Sequence, residues 1–512
     1  MHNKVLKLSE MVADGGGTLL SGGVVCFGHF NSIHPGHLRY FQTATEIGSP
    51  LVVAVEGDKD LLEIEKTQYF SQEDRAASVG ALSVVDSVII LDEGTLHTLL
   101  NQFDFQAIVL GKEFEKLRAK KVEDALEVAE KKGMRVVFDV GETHYSDARL
   151  LSSTLNQLEQ ENWEKFEIAK DSQDVDFSKV FKKLRLGSNP EILVLGDTIV
   201  DRYVACDPIG MSNEAPVVVV KEIDNRDYIG GAGIVAAHAA SLGANCTYMS
   251  VTGKDDAATF ARQALEKAGV RPIIFSDQAR PTTFKIRYMV ENQKLFRVSR
   301  LKEHSLTKDI EKEFIETLEN TAKDYSGIIV SDFVYGVVTP KVLTTVRRVA
   351  AKYSIPLYGD LQCSSQVGSI LKFSEFSTIC PTEKEVRIAL GNQDDSVEFL
   401  ANQLIDETRC SNLILKMGGA GLIAYEVDRA GEEVIRKQHY PALTVNPVDV
   451  TGAGDAFIAS LAVAIARGCT LMEATAFSTC VSGVAVQTLG NRPVSLDDVR
   501  TLLFRMDTAR ES

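Results

Sequence analysis

The amino-acid sequence predicts an α/β protein built from two doubly wound domains. Short β-type runs alternate with helical stretches, which is the pattern of parallel sheets covered by helices on both faces. Glycine-rich turns at residues 28–37 and 449–455 each follow a β-type run and precede a helical run. Such turns are typical of folds that bind phosphate at helix N-termini. With 512 residues, the chain is too long for one hydrophobic core.

Changes in composition along the chain predict the domain boundaries. We expect a first domain at residues 20–155, a helical and charged linker at 156–189, and a second domain at 190–508. The linker carries helix-forming residues and the only tryptophan, Trp163. It ends in the turn-forming sequence GSNP at residues 187–190. The sequence therefore predicts a helix followed by a mobile linker, with Trp163 in a packing role.

The composition is that of an ordinary globular protein, with 45% hydrophobic and 25% charged residues. The formal net charge of −16 and the pI of about 5.2 disfavour binding to nucleic acid or to anionic membranes. Eight scattered cysteines form no C-x-x-C pair, as expected for reduced thiols in a cytoplasmic protein. We also expect no signal peptide and no membrane span, because no apolar stretch is long enough.

The first domain begins with a βαβ pattern. A strand at residues 24–27 precedes the turn GHFNSIHPGH, a helical stretch and a second strand. His34 and His37 flank Gly36 at a helix N-terminus, where two imidazoles can stabilise charge on a phosphate during nucleotidyl transfer. The alternatives are two surface histidines or a metal pair, although no third metal ligand stands nearby.

This H-x-G-H spacing after a strand resembles the H-x-G-H nucleotidyltransferase superfamily, in its small cytidylyltransferase-like branch. The resemblance implies that His34 and His37 are catalytic and that ATP, or alternatively CTP, is the nucleotide. The family has aspartate where this chain has Asn31, so one charge beside the nucleotide is lost. The nucleotide-binding residues that the resemblance implies are Phe27, Gly28, Gly36, Arg75, Gly111, Ser152, Ser153 and Thr154, with Ser146 as a rival to the last three.

Two carboxylates follow the first strand of the second domain. Asp197 and Asp201 come after a β-type run at residues 192–195, and they could bind sugar hydroxyls as a pair. The alternative is a helix cap and a surface acid. Gly230 and Gly231 follow a second β-type run, where glycine lets the chain approach a ligand closely. We expect these four residues to bind substrate.

Extra β-type runs at residues 217–223 and 283–299 predict a small β lid over the sugar site. The second run carries the cationic pair Lys285 and Arg287. Such a pair suits a sugar that already bears a phosphate, and a solvated strand face is the alternative.

The turn DVTGAGD at residues 449–455 precedes an apolar helical run. Its backbone N–H groups and the positive end of the helix dipole suit a phosphate or a developing oxyanion. Asp455 could cap the helix, or it could take a proton from a hydroxyl held against the same amides. The upstream features favour the catalytic interpretation.

The second domain contains the runs GD at 196–197, EAPV at 214–217, GGA at 230–232 and DVTGAGD at 449–455. In these runs it resembles the ribokinase-like carbohydrate kinases. The resemblance is close to the heptose kinase half of the bifunctional heptose kinase/adenylyltransferases, here in reversed domain order. It implies that Asp455 is the general base and that Mg²⁺ bridges the ATP phosphates. It also implies a homodimer through the β lid. It further implies an anion hole formed by Gly452, Ala453 and Gly454, and a metal contact from Glu385. A glycine turn with Lys416, Gly418 and Gly421 would contact the nucleotide, and the alternative for this turn is an ordinary hairpin loop.

Four positions depart from the kinase pattern. Ile234 and Thr382 stand where the family has asparagine, and Tyr335 and Gln362 stand where it has lysine. Each change removes a polar ligand for the sugar or the phosphate, whereas Asp455 and its glycines are intact. The pattern thus predicts retained phosphoryl-transfer machinery with altered substrate contacts.

The favoured hypothesis is a bifunctional enzyme that makes a nucleotide-activated sugar. The second domain would phosphorylate C1 of a sugar phosphate, expected to be D-glycero-D-manno-heptose 7-phosphate. The first domain would join the sugar 1-phosphate to a nucleotide, giving an ADP-heptose-like product and pyrophosphate. Two alternatives stay open at this point: the same two chemistries on a different sugar, and a kinase-like half that acts as a sugar-binding regulatory module.

Overall fold

The computed structural model describes residues 4–13, 22–31, 33, 35–60, 70–111, 120–139, 155–212, 214, 217–290, 293–362, 368–428 and 433–511. The chain divides into two compact units. One spans Met1–Thr154 together with Gln393–Leu400, and the other spans Leu155–Asn392 together with Ala401–Ser512.

The first unit is built on a six-stranded sheet. Its strands are β1 Val5–Lys7, β2 Val24–Gly28, β3 Leu51–Glu56, β4 Ser87–Leu91, β5 Ala107–Gly111 and β6 Arg135–Asp139. They are all parallel to their neighbours, in the order β1-β4-β3-β2-β5-β6. The described helices are α1 Leu8–Ala13, α2 Pro35–Ile47, α3 Gln72–Gly80, α4 Leu96–Gln102 and α5 Lys120–Lys131.

Both faces of this sheet are covered. Along β2, Val24 and Cys26 belong to one hydrophobic cluster and Val25 and Phe27 to another. Successive strand residues point to opposite faces, so each face has its own core. This explains why the strand reads as a continuous apolar run, and it confirms the predicted doubly wound arrangement.

The second unit contains a nine-stranded sheet. Its strands are β7 Glu191–Gly196, β10 Asn245–Thr252, β11 Arg271–Ser276, β14 Gly327–Asp332, β15 Leu357–Leu361, β16 Thr378–Ile379, β17 Asn412–Lys416, β18 Leu422–Asp428 and β19 Glu433–Tyr440. The order is β11-β10-β7-β14-β15-β16-β17-β18-β19. The pairs β17–β18 and β18–β19 are antiparallel, and the other neighbouring strands are parallel. Residues 192–195 of β7 are all fully buried, so this sheet too is covered on both faces.

The helices of the second unit include a strongly apolar pair, α14 Ala453–Ala466 and α15 Leu471–Ala485, in the main core. The others are α6 Leu155–Ser172, α7 Phe177–Arg185, α8 Ala232–Ser241, α9 Asp256–Lys267, α10 Lys308–Thr321, α11 Pro340–Tyr353, α12 Glu383–Leu390, α13 Val397–Thr408 and α16 Leu496–Glu511. Within the described ranges, none of the helices combines the length and apolar character needed to cross a membrane.

A separate four-stranded sheet forms in the second unit where the sequence predicts a β lid. Its strands are β8 Thr198–Met211, β9 Val218–Gly231, β12 Thr283–Val290 and β13 Gln293–Arg300, in the order β13-β12-β8-β9. The predicted runs cover parts of β9, β12 and β13, whereas β8 was not foreseen. All eight residues of β13 are exposed.

The segment at residues 156–189 differs from the predicted helix and mobile linker. Helix α6 is followed by a second helix, α7, which buries Val180, Phe181 and Leu184. These residues recur at helical spacing, which creates an apolar stripe that needs a partner. Trp163 and Phe166 of α6 enter the same core cluster as α7, so Trp163 packs as predicted.

Candidate active site

A cavity of about 530 Å³ lies in the second unit. Gln362 and Lys416, at the carboxyl ends of β15 and β17, line it, and ligands bind at this edge of open α/β sheets. The sequence-predicted site residues on its wall are Asp201, Gly231, Lys285, Arg287, Lys416, Gly418, Gly421, Gly452, Ala453, Gly454 and Asp455. The fold therefore brings together motifs that are up to about 250 residues apart in the sequence.

Asp455 lies in the first turn of α14 and is only 5% exposed. Burial, reinforced by the negative charge of Asp360, raises the pKa of Asp455 to about 8, although Lys416 opposes the shift. Its Oδ1 has no hydrogen-bond partner among the described residues. A buried polar atom aimed at a cavity is available for a ligand, and a carboxyl group with a pKa near 8 can accept a proton at slightly alkaline pH.

The turn before Asp455 needs its glycines. Gly452 has φ +85°, and a Cβ there would lie 2.6 Å from Oδ1 of Asn491. A Cβ on Gly454 would lie 3.1 Å from Nζ of Lys416. Because neither residue carries a side chain, a ligand can approach the backbone at the start of α14 closely from the cavity, whose wall includes residues 452–454.

Three cations of the small sheet line the cavity: Lys285, Arg287 and Arg297. Arg287 on β12 and Arg297 on β13 are directly opposite each other in the antiparallel register. The Lys285 ammonium lies 5.7 Å from the ring centre of Phe333 and 5.2 Å from that of Tyr335. Tyr335 replaces a family lysine, yet its ring supports a cation from another strand. Arg297 was not foreseen from the sequence.

The two predicted substrate carboxylates have different environments. Asp201 lines the cavity and forms an ion pair with Arg287. Asp197 is absent from the cavity wall, and it accepts hydrogen bonds from the backbone N–H groups of Phe333 at 2.9 Å and Val337 at 3.2 Å. Burial and the nearby Asp332 raise the pKa of Asp197 to about 7. Asp197 therefore stabilises the loop after β14, whereas Asp201 lines the cavity and can contact a ligand.

The two glycines at the end of β9 are both sterically required. A Cβ on Gly230 would collide with the carboxylate of Asp201, and one on Gly231, whose φ is +60°, would collide with the carbonyl oxygen of Asp197. Gly231 lines the cavity and Gly230 does not. Ile234, one turn into α8, is fully buried in the main core and makes no part of the cavity wall.

The β17–β18 hairpin turn forms another part of the wall. Gly418 has φ +62° and Gly421 has φ +90°, and a Cβ on Gly421 would collide with the carbonyl oxygen of Tyr440. Lys416 Nζ donates to Oδ1 of Asp360 over 2.7 Å. The turn is a hairpin and also lies beside the cavity. The interpretation as a hairpin loop and the interpretation as a nucleotide-binding turn are therefore compatible.

Glu385 is committed to a helix cap. Its Oε2 accepts a hydrogen bond from the backbone N–H of Thr382 at 2.8 Å, and Thr382 Oγ1 accepts one from the N–H of Glu385 at 3.3 Å. Thr382 lines the cavity, whereas Glu385 does not. In the described part of the chain, no three His, Cys, Asp or Glu side chains are grouped as metal ligands. The residues present therefore do not form a preformed cation cage.

Several predicted residues of the first unit meet at one edge of its sheet. Phe27 and Gly28 end β2 and Gly111 ends β5, and these strands are parallel neighbours. Gly36 and His37 lie in the first turn of α2, and the ring of His37 packs against Phe30 with centroids 5.1 Å apart. His34, Ser146, Ser152, Ser153 and Thr154 lie outside the described residues.

Arg75 has a role that the sequence did not indicate. Its guanidinium is buried and donates to the carbonyl oxygens of Phe70, His29 and Glu56 and to Oδ1 of Asp58, over 2.6–3.0 Å. These bonds connect the residue that follows β2, the end of β3 and the residues just before α3. The geometry supports a positioning role better than the predicted direct nucleotide contact.

Two family models match the chain. The model of the pfkB family carbohydrate kinases matches residues 189–498, and that of cytidylyltransferase-like proteins matches residues 25–155. A relative named bifunctional protein HldE, from Campylobacter jejuni subsp. jejuni serotype O:6, is 31% identical over 61% of this chain and 64% of its own length. Another of that name, from Citrifermentans bemidjiense, is 31% identical over 60% of this chain and 62% of its own length. The chain thus covers less than two thirds of these relatives.

Solved structures agree with the fold of the second unit. Phosphofructokinase-2 from Escherichia coli, in complex with substrates and products, matches with a TM-score of 0.51 and 16% identity over 62% of this chain and 99% of that chain. Ribokinase from Giardia lamblia matches with a TM-score of 0.50 and 14% identity over 61% of this chain and 100% of that chain. At such low identity these likenesses show the fold alone.

Proposed function

The chain belongs to the pfkB family of carbohydrate kinases, and from that premise we propose that it is a bifunctional enzyme of nucleotide-sugar synthesis. Its second unit would transfer the γ-phosphoryl group of ATP to C1 of a sugar phosphate. Its first unit would join the resulting sugar 1-phosphate to a nucleotide and release pyrophosphate. The match of the first unit to cytidylyltransferase-like proteins supports the second activity, as does the word bifunctional in the names of the relatives.

The observation that carries the kinase proposal is the position of Asp455. Its buried carboxyl group stands beside the glycine turn at the N-terminus of α14, on the wall of a cavity of about 530 Å³. A hydroxyl bound there can give its proton to Asp455 while its oxygen attacks the phosphorus. The amides of Gly452, Ala453 and Gly454 would stabilise the charge on the transferring group.

The three cations Lys285, Arg287 and Arg297 support a phosphorylated sugar as the acceptor. Arg287 forms an ion pair with Asp201 on the cavity wall, and Lys285 and Arg297 bring two further positive charges to the same wall. Cationic forks bind phosphate by charge-assisted hydrogen bonds. We propose a heptose 7-phosphate as the substrate, with an ADP-heptose as the final product.

A different sugar with the same chemistry is the second candidate. Ile234 stands where a family asparagine would contact sugar, and it is packed in the core instead. Gln362 stands on the cavity wall where the family has lysine, and its Nε2 donates to Oδ2 of Asp360 over 2.9 Å. The substitution at Gln362 changes the cavity wall and that at Ile234 provides no polar side chain to it, whereas the turn at residues 452–455 keeps the family pattern.

Phosphoryl transfer from ATP requires Mg²⁺, which would arrive bound to the ATP phosphates. We propose that the small sheet forms the interface of a homodimer, because Ile209, Met211 and Ile223 are 60–65% exposed on it. We also propose a cytoplasmic location. Among the described cysteines, five are free thiols, Cys206, Cys246, Cys380, Cys469 and Cys480, which suits a reducing compartment.

The test is phosphorus NMR of the full chain with ATP, Mg²⁺ and a panel of heptose and hexose phosphates. We expect a new anomeric phosphate signal with one sugar, and pyrophosphate when the matching sugar 1-phosphate is supplied. The variant Asp455→Asn should lose the first signal, whereas Asp309→Asn, an exposed acid in the first turn of α10, should keep it. Phosphorylation that survives in Asp455→Asn would show that this residue is not the base. If the wild type phosphorylates none of these sugars, the interpretation as a sugar-binding module gains support.

A further inference from the structure

Asp449 collects hydrogen bonds from two strands of the small sheet. On β13, Lys294 Nζ donates to Oδ1 of Asp449 over 2.8 Å and to Oγ1 of Thr451 over 3.1 Å. On β8, the hydroxyl of Tyr203 donates to Oδ2 over 2.8 Å. Oδ1 also accepts a hydrogen bond from the backbone N–H of Thr451 at 3.0 Å. The same carboxylate therefore shapes the turn before Gly452 and receives two side chains of the small sheet.

Asp449 is charged at neutral pH. Burial opposes ionisation, but the hydrogen bonds from Lys294 and Thr451 hold the pKa of Asp449 at about 2. Its side chain is 2% exposed, whereas that of Lys294 is 42% exposed. A buried carboxylate without a cationic partner would be costly, and Lys294 is the cation that contacts it.

Burial does not hold β13 in place. All eight of its residues are exposed, so its position depends on the pairing with β12, on the stacking of Phe296 against Tyr288 and on the polar contacts of Lys294. The same strand carries Arg297, which lines the cavity. A contact that fixes Lys294 therefore also fixes a cation of the candidate phosphate-binding cluster.

We propose that Lys294 is a positioning residue for phosphoryl transfer, which ties β13 to the glycine turn at residues 450–454 by neutralising Asp449. The proposal rests on the proposed kinase function. The ammonium acts through Asp449 and Thr451, and it sets the conformation of the amides that receive the phosphoryl group. At the same time it places Arg297 over the cavity, so one contact couples the phosphate-donor and the acceptor sides of the site.

The experiment compares Lys294→Ala with Lys221→Ala in the full chain. Lys221 is an exposed lysine on β9 of the same sheet. We expect kcat for sugar-dependent ATP consumption to fall about ten-fold in Lys294→Ala, the size of effect that a half-exposed charge-assisted hydrogen bond has. Ethylammonium added at millimolar concentration should restore much of the loss, because it can enter the space left by the side chain. Lys294→Arg should retain most activity, and Lys221→Ala should resemble the wild type.

Amide hydrogen exchange at residues 450–454 gives a readout that is independent of activity. It should become faster in Lys294→Ala and not in Lys221→Ala, with the exchange of α11 unchanged as a check on folding. Unchanged exchange at 450–454 would overturn the proposal, and so would a loss of kcat that neither ethylammonium nor arginine restores. If the wild type shows no kinase activity, the proposed function fails, and the exchange experiment still decides whether Lys294 holds the turn.

Discussion

The raised pKa of Asp455 predicts an unusual dependence of stability on pH. Burial and the charge of Asp360 move this pKa from its ordinary value of 3.8 to about 8. The folded protein therefore binds this proton more tightly than the unfolded chain does. The contribution of Asp455 to stability must then fall as the pH rises from about 4 to about 8, and it must level off above that range. Asp455→Asn removes the titrating group with little change in shape, so it should remove this fall.

The size of the effect follows from the two pKa values. Each unit of difference corresponds to about 1.4 kcal/mol. Between pH 5 and pH 9 the gap in unfolding free energy between Asp455→Asn and the wild type should therefore widen by about 4 kcal/mol. This order of magnitude is a large part of the stability of an ordinary domain.

Trp163 makes the measurement specific to the second unit. It is the only tryptophan in the chain, and it is buried in the same core cluster as Ala456 and Phe457 of α14. Urea unfolding followed by its fluorescence therefore reports on the core that surrounds Asp455. The matched control is Asp449→Asn. The lowered pKa of Asp449 contributes stability above about pH 4 that is lost only as the pH falls towards 2.

The two variants should therefore differ in sign and in pH dependence. Asp449→Asn should be less stable than the wild type by a constant amount from pH 5 to pH 9, whereas Asp455→Asn should be more stable by an increasing amount. If the difference in unfolding free energy between Asp455→Asn and the wild type stays constant over this range, burial does not raise the pKa of Asp455 as described.

Three further predictions concern activity. Asp360→Asn removes a negative charge that raises the pKa of Asp455, so the acid limb of the kcat/KM profile should move to lower pH; an unmoved midpoint would contradict this. His37→Asn should abolish pyrophosphate release from sugar 1-phosphate and leave sugar-dependent ATP consumption intact, since its ring lies in the other unit; parallel loss of both activities would argue against two separate centres. Arg297→Met should raise KM for the phosphorylated sugar about ten-fold with little change in KM for ATP, whereas Arg300→Met on the same strand should not; equal effects would remove Arg297 from the phosphate site.

Local patterns were sufficient to predict much of the fold. The α/β class and the doubly wound sheets follow from apolar runs of strand length between helical stretches, and both are confirmed. The prediction of a mobile linker was wrong because the apolar stripe of α7, with Val180, Phe181 and Leu184 buried, was hidden among four lysines and arginines. The many charged residues predicted a solvent-exposed segment, although a helix can carry a charged face and a buried face together.

The candidate site was predictable where its residues belong to one short motif. Asp455 and the glycines before it are adjacent in sequence, and their geometry follows from a tight turn at a helix start. Arg297 and Lys294 were missed because their positions depend on strand register. Only the pairing of Arg287 with Arg297 across β12 and β13 places the second arginine on the cavity wall. A hairpin assignment over residues 283–300 would have given this register, and the sequence suggested only separate extra strands.

Tyr335 stands where the family motif has lysine, and it shows that the loss of a motif residue does not by itself mean the loss of the function. Read from the sequence, tyrosine in place of lysine removes a positive charge from the substrate pocket. In the structure, the ammonium of Lys285 lies 5.2 Å from the centre of the Tyr335 ring, so a cation from β12 is held by the residue that replaced the lysine. Because charge acts through space and not along the chain, the proposed preference for an anionic sugar depends on the cations that converge on the cavity. It follows that Gln362 on the cavity wall and Ile234 in the core, which both replace polar residues of the family pattern, can differ from that pattern while the proposed preference for a phosphorylated acceptor is retained.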